Sequence, residues 1–485
     1  MRAVGAFGTP PISPRGAPPP RALAGLRPVE ATGDSARLQV GRSVAMRAKA
    51  PWGVPELFVV AQTALPALLF VPGFQPVRLH LRTASFLISA AMLAWWAAHA
   101  RRDLERHPAA PWVLASGVYL ALMIVHPLTS STLAGIAQLA LFVSIVAPLF
   151  WVPAYVRDAD RLARLMLLLL ICNGANAAVG VLQVYDPARW MPMEMSRIVT
   201  ESAFGLGAVT YIGPNGLIVR PPGLFDNPGA VAGPGMYAAL LGLVFAVSSR
   251  PMPLRLVALG ASFAGLAAIY LSQVRVSLVV SVVMLASYVA VLAAQQRGRR
   301  ATVFAAAAAA IVLTAFAFAL VLGGRSIAER TSTLLRQDPI SLYSTSRGGQ
   351  LVYTFSELLT NHPLGAGLGR WGMVAGYFGG SANPESTPLW AEIQIAGWAI
   401  DGGIPLLFLS VAALIVTFRS QLGVALRSID PKVRACAAVV VAVNLGTAAL
   451  SFSFTPFVTQ VGLQFWFLAG ALQGIAAREH SGGER

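Results

Sequence analysis

The chain has 485 residues, of which 56% are hydrophobic and only 12% are charged. A soluble domain carries about 25% charge, so long uncharged runs over most of the length exclude a water-soluble globule and indicate a polytopic membrane protein. The net charge of +16 does not require nucleic acid, because basic cytoplasmic loops give a membrane protein the same excess.

Residues 1–50 are rich in Pro, Gly and Arg ("GTPPISPRGAPPPRALAGLRP") and lack apolar periodicity, so they are expected to form a disordered basic cytoplasmic tail. The stretch has no apolar core of the signal-peptide kind, and Met46 offers an alternative translation start. The membrane domain is expected over 51–480, followed by a short cytoplasmic tail, 481–485. Within it, apolar runs predict helices near 54–72, 83–99, 110–126, 132–152, 162–184, 229–248, 253–272, 275–294, 301–322, 389–418, 433–454 and 457–477. Each approaches the ~20 residues needed to cross ~30 Å of hydrocarbon. The fold class that follows is all-α, with about twelve transmembrane helices. The two cysteines, Cys172 and Cys436, fall inside such runs and read as small hydrophobes rather than a disulfide or metal framework.

The connections alternate in character. "ARRDLERH" (100–107), "VRDADRLAR" (156–164), "SRPMPLR" (249–255), "QQRGRR" (295–300) and "RSQLGVALRSIDPKVR" (419–434) are net basic. "PLTSST" (127–132), "SQVR" (272–275) and "FTPF" (454–457) carry little charge. The positive-inside rule then places both termini in the cytoplasm, with Arg78 and Arg82 between the first two helices running against the trend. The two longest connections, about 185–228 and 323–388, fall on the outer side, where long loops tend to carry function.

Three arginines need an explanation on that side: Arg220 in "IVRPPGLFDNPGAVAGP" (218–234), Arg275 in "LSQVRVSLVV", and Arg347 at the head of "SRGGQLVYTFSELL". An arginine at membrane depth is costly unless it meets water, a partner or an anion; the plain alternative is snorkelling to headgroups. Because each stands beside Gly, Pro or Ser, a shared anion is the sharper reading, and guanidinium forks suit phosphate or pyrophosphate. "NHPLGAGLGRWG" (361–372) lacks the Lys-Ser/Thr ending of a nucleotide loop and reads as a tight turn that lets backbone approach a ligand. Its His362 is a candidate proton acceptor as well as a candidate structural histidine. Glu385, Glu392 and Asp401 approach or enter the tenth run, and Gly402, Gly403 and Pro405 would break that helix. Such acids face a cavity or pair with an arginine. No metal-binding motif is present, and no cofactor is implied.

The order Arg220, Gly223, Phe225, Asn227, Pro228, then Ser272 and Arg275, then Arg347, "HPLGAGLG" (362–369) and Asp401-Gly402-Gly403 resembles the O-antigen ligase/O-antigen polymerase family of bacterial inner membranes. The likeness covers about residues 160 to 410. It implies a metal-independent glycosyltransferase in the bilayer that moves glycan from an undecaprenyl-diphosphate carrier to an acceptor hydroxyl at the periplasmic face. By the same resemblance, Arg220, Arg275 and Arg347 would hold the diphosphate. Partners would be the lipid-linked donor, a glycan or lipid-linked acceptor and a chain-length regulator, with no nucleic acid. Ligases of the family place a histidine near the start of the helix after the large loop; here that stretch reads "PESTPLWAEIQ" (384–394). Glu385 therefore leads His362 and Asp401 as the expected general base, and a polymerase of repeat units is favoured over a ligase acting on a final acceptor. A transporter or flippase of lipid-linked glycans is the competitor from another class, but no internal repeat supports it. An inactive scaffold is the third reading.

Overall fold

The computed structural model describes residues 52–71, 73–99, 107–192, 209–213, 216–336, 338, 341, 343–379 and 388–483. The expected tail 1–50 and the candidate base Glu385 lie outside them. The described residues are almost wholly helical. In chain order the main elements are α1 (Val54–Ala67), α2 (Arg78–His99), α3 (Ala110–Met123), α4 (Thr132–Val146), α5 (Pro148–Tyr155) and α6 (Ala159–Tyr185). A hairpin follows, β1 (Thr210–Gly213) and β2 (Gly216–Val219), then α7 (Ala232–Ala246), α8 (Met252–Ser272), α9 (Arg275–Ala294), α10 (Gly298–Gly323) and α11 (Arg325–Arg336). The chain ends with α12 (Gly372–Phe378), α13 (Gln394–Arg427), α14 (Pro431–Ala449) and α15 (Gln460–Gly483).

All twelve expected runs are helical, and eight helices are long and apolar enough to cross a membrane, counting α4 with α5 and α14 with Leu450–Phe452 as single spans. Val54–Phe70, α3 and α7 are shorter apolar helices, and α15 falls outside the eight. The shortening has local causes. At α3, Thr129 Oγ1 donates to the carbonyl of Met123 (2.8 Å) and turns the chain away. At α7, residues 229–231 form a turn with Gly229 at φ +78 before the helix begins. Residues 481–483, expected in a tail, continue α15.

The two long connections carry secondary structure of their own. The segment 185–228 contains an antiparallel hairpin in the register Thr210↔Val219 and Tyr211↔Ile218. The segment 323–388 is largely helical where it is described, through α11, a continuous helical stretch at 344–361, and α12.

Packing follows the logic of an apolar solvent, in which close backbone approach rather than hydrophobicity binds helix to helix. Helices α6, α7 and α8 pack on one another. A Cβ at Gly235 would stand 2.8 Å from the carbonyl of Gly265, and one at Gly265 2.6 Å from that of Gly235. Ser262 Oγ donates to the carbonyl of Ala239 across the same seam (2.8 Å). An aromatic knot ties α1, α5 and α15: the Phe58 ring meets Trp151 edge-on at 5.3 Å and stacks on Phe467 at 5.8 Å.

At the bundle end opposite the 272–275 turn, Glu56 is fully buried and takes Arg161 through Nε (3.0 Å) and Nη2 (2.8 Å). His107 lies just before α3, and its Nδ1 accepts the N–H of Ala109 (3.0 Å). That acceptor role needs a neutral ring, and burial pushes the ring pKa down to about 4. The unfolded chain therefore takes up the proton first, and stability present above pH 6.5 is lost as pH falls toward 4. A gap of about 2.5 in pKa corresponds to roughly 3 kcal/mol. The detergent-solubilised protein is expected to lose unfolding midpoint across this window, and His107→Gln to flatten the loss; an unchanged slope in the variant would refute the assignment.

Candidate functional site

Two structures lie at the bundle end that carries the 272–275 turn. The first is the loop 220–231. The hairpin delivers Arg220, whose N–H donates to the carbonyl of Val209 (2.9 Å). Two amide side chains of α6 then hold the next turn. Gln183 accepts the N–H of Gly223 and donates to its carbonyl, both at 2.8 Å, and Asn176 accepts the N–H of Leu224 (2.9 Å). Gly223 has φ +68, and a Cβ there would lie 2.0 Å from Asn176 Oδ1, so the position excludes any side chain. Asp226 is buried and is clamped by Arg78 (3.1 Å) and by Arg82, whose Nε donates at 3.0 Å. This resolves the anomaly between the first two helices: those arginines neutralise an acid of the loop.

The loop closes on itself, with the N–H of Gly229 donating to the carbonyl of Arg220 (3.3 Å). Gly229 also lies against the turn between α8 and α9, where its Cβ would meet Val274 at 3.2 Å. Arg220 and Arg275 are thereby brought within electrostatic range. Burial and then the charge of Arg275 lower the pKa of Arg220 from its ordinary value. The Nε of each arginine is buried with no hydrogen-bond partner, and neither has an acidic partner among the described residues. Two like charges held together in this way have the chemistry to bind an anion.

The second structure is the glycine-rich turn. Helix α13 breaks at Gly402 and Gly403, the latter with φ +58. The helical bond from the N–H of Ile404 to the carbonyl of Ile400 is opened, and segment 363–366 satisfies both halves. Ile404 N–H donates to the carbonyl of Pro363 (2.9 Å), and the carbonyl of Ile400 accepts Ala366 N–H (2.7 Å). Asp401, buried, takes Gln138 Nε2 on one oxygen (2.8 Å) and Trp371 Nε1 on the other (2.9 Å). The far side of the turn seats on residues 126–130. Leu368 N–H donates to Thr129 Oγ1 (3.1 Å), and Ser130 donates through N–H to Leu368 and through Oγ to Gly369, both at 3.1 Å. The backbone of this turn approaches a broken helix and a neighbouring turn.

That neighbour, "HPLTS" (126–130), repeats the "HPL" of 362–364. It brings His126 into range of His362 and Arg370, and burial, then these two groups, lower the His126 pKa from its ordinary value. Arg370 is buried and its Nη1 donates to the carbonyl of Ala366 (2.9 Å). Arg347 stands apart from the Arg220–Arg275 pair in its chemistry, being ion-paired with Glu392. Gln350 in turn accepts the N–H groups of Glu392 (2.9 Å) and Ile393 (3.1 Å).

Sequence reasoning singled out Arg220 and Arg275 and missed the residues that hold the loop around them. Asn176 and Gln183 carried one signal, amides seven positions apart in the uncharged stretch 165–185 of α6, which also holds Asn173. His126 carried another, in the repeated tripeptide. Among the described residues no three His, Cys, Asp or Glu side chains are grouped to hold a metal ion. No protein-family model matches the chain, and no curated protein matches it either.

Proposed function

We propose that the chain is a membrane glycosyltransferase that polymerises oligosaccharide units carried on undecaprenyl diphosphate, working at the periplasmic face of a bacterial inner membrane. The observation that carries this reading is the pair Arg220 and Arg275, half-buried within electrostatic range of one another, each with a buried Nε and without an acidic partner among the described residues. In the reaction, an acceptor hydroxyl attacks the anomeric carbon, the bond from that carbon to the diphosphate oxygen breaks, and the diphosphate leaves with the electron pair. Negative charge grows on the leaving group, and guanidinium groups already fixed beside it stabilise that charge without a metal ion. The hydroxyl proton goes to a base within hydrogen-bond reach. His362 and Glu385 are the candidates for that role; Asp401, with a neutral donor on each oxygen, suits positioning of the turn instead.

With both termini cytoplasmic and about twelve crossings, the 220–231 loop and the 363–371 turn share the outer surface. Analysis of lipid-linked and surface glycans in a deletion strain tests the assignment. Single repeat units accumulating at the outer face support a polymerase. Long chains that fail to reach a final acceptor indicate a ligase, and units trapped inside indicate a flippase; either result displaces the proposal.

A further inference from the structure

We propose that Tyr211 and Gln273 complete, with Arg220 and Arg275, a four-donor cradle for the diphosphate of a lipid whose apolar chain runs past the apolar wall beside Arg275; this rests on the function proposed above. Gln273 is 7% exposed and Tyr211 8% exposed, and both are buried with a polar atom that has no hydrogen-bond partner, Nε2 and the hydroxyl respectively. Together with the Nε atoms of the two arginines, four buried donors lack partners within one neighbourhood. Single buried polar atoms without a partner occur elsewhere among the described residues, but here four donors gather in one neighbourhood, the arrangement a bound anion would satisfy. Tyr211 sits on β1, close enough to Arg220 for the two to interact electrostatically, while Gln273 lies two residues before Arg275 in the turn on which Gly229 packs.

The backbone supports the same reading. Gln273 has φ 55 and ψ 21, the left-handed region that residues other than Gly, Asn and Asp seldom occupy. A glycine would satisfy the turn more easily, so the side chain has a use. Neutral donors also solve an electrostatic problem. They add hydrogen bonds to phosphate oxygens without adding a third positive charge to a pair that already repels. Beside Gln273 and Arg275, the side chains of Ile269, Leu278 and Ile327 form an apolar wall around a small recess of about 20 Å³, which Tyr270, Val274 and Thr331 also line. Polar donors beside an apolar wall fit an amphiphile, with the headgroup on the donors and the prenyl chain running past the apolar side chains into lipid.

The test uses the full chain in nanodiscs, with undecaprenyl diphosphate and inorganic pyrophosphate as probes and the variants Tyr211→Phe, Gln273→Gly, Arg220→Ala and Arg275→Ala. Undecaprenyl diphosphate is expected to bind more tightly than pyrophosphate. Tyr211→Phe and Gln273→Gly should each weaken it about tenfold, the loss of one hydrogen bond to a charged group. The thermal midpoint of Gln273→Gly should hold or rise, because glycine suits the left-handed turn. Wild-type affinity in Tyr211→Phe and Gln273→Gly, with loss in the arginine variants, overturns the cradle and leaves a two-arginine site. Unchanged affinity in the arginine variants overturns the diphosphate site itself. Equal affinity for the two probes overturns the apolar wall.

Discussion

Arg220→Ala and Arg275→Ala are each expected to cut polymer formation by about two to three orders of magnitude, the usual loss when one preorganised donor to a developing anion is removed. Lipid-linked repeat units should accumulate in the same membranes. The physical reason separates this result from simple unfolding. The two arginines are half-buried with their Nε atoms out of water, and the charge of Arg275 lowers the pKa of Arg220, so the pair opposes the fold rather than stabilising it. Removing one relieves repulsion, and the unfolding midpoint should stay level or rise. Arg→Lys at either position keeps the charge and loses the fork, giving an intermediate rate. Glycan ladders from complemented strains, read beside thermal unfolding of the same variants, check this. Normal chain length in either alanine variant would remove the pair from the reaction.

The largest structural effect is expected at Gly403. Its φ of +58 with ψ of −148 is open to glycine almost alone, and a Cβ would lie 2.2 Å from the carbonyl oxygen of Pro363. Gly403→Ala must therefore expel the 363–366 segment, leaving the carbonyl of Ile400 and the N–H of Ile404 without partners inside the bundle. Strain and two lost hydrogen bonds together should cost about 3–6 kcal/mol. Asp401→Asn is the informative contrast. Its amide can accept from Trp371 and donate to Gln138 after that side chain flips, so the loss should stay near 1 kcal/mol and activity should persist. Thermal unfolding in detergent measures both. A Gly403→Ala protein as stable as wild type would refute the splice of turn into helix, and an inactive but stable Asp401→Asn protein would restore Asp401 as a proton carrier.

Much of this was legible in the sequence, for a definable reason. Hydrocarbon imposes long apolar runs, so all twelve expected segments are helical and the largest are long enough to cross. Arginine is equally conspicuous there, which is why Arg220 and Arg275 could be singled out before their neighbours were known. Pairing was not legible. That Arg78 and Arg82 answer Asp226, or that Gln183 reads both backbone groups of Gly223, depends on contacts between residues far apart in the chain. The glycine-rich turn shows the limit best. Its composition announced a close approach, but the partner, a helix opened at Gly402 and Gly403, lies more than thirty residues away. The hairpin at Thr210–Val219 had a local signal in "GPNG" (213–216) that the surrounding long loop obscured.

The most direct test of the proposed activity is reconstitution of the purified chain in liposomes with an undecaprenyl-diphosphate-linked repeat unit and excess chelator. A ladder of longer lipid-linked glycans is expected, with one undecaprenyl diphosphate released for each bond formed and no dependence on added metal. Passage of intact lipid-linked units across the bilayer, with no diphosphate released, would contradict it and make the protein a transporter.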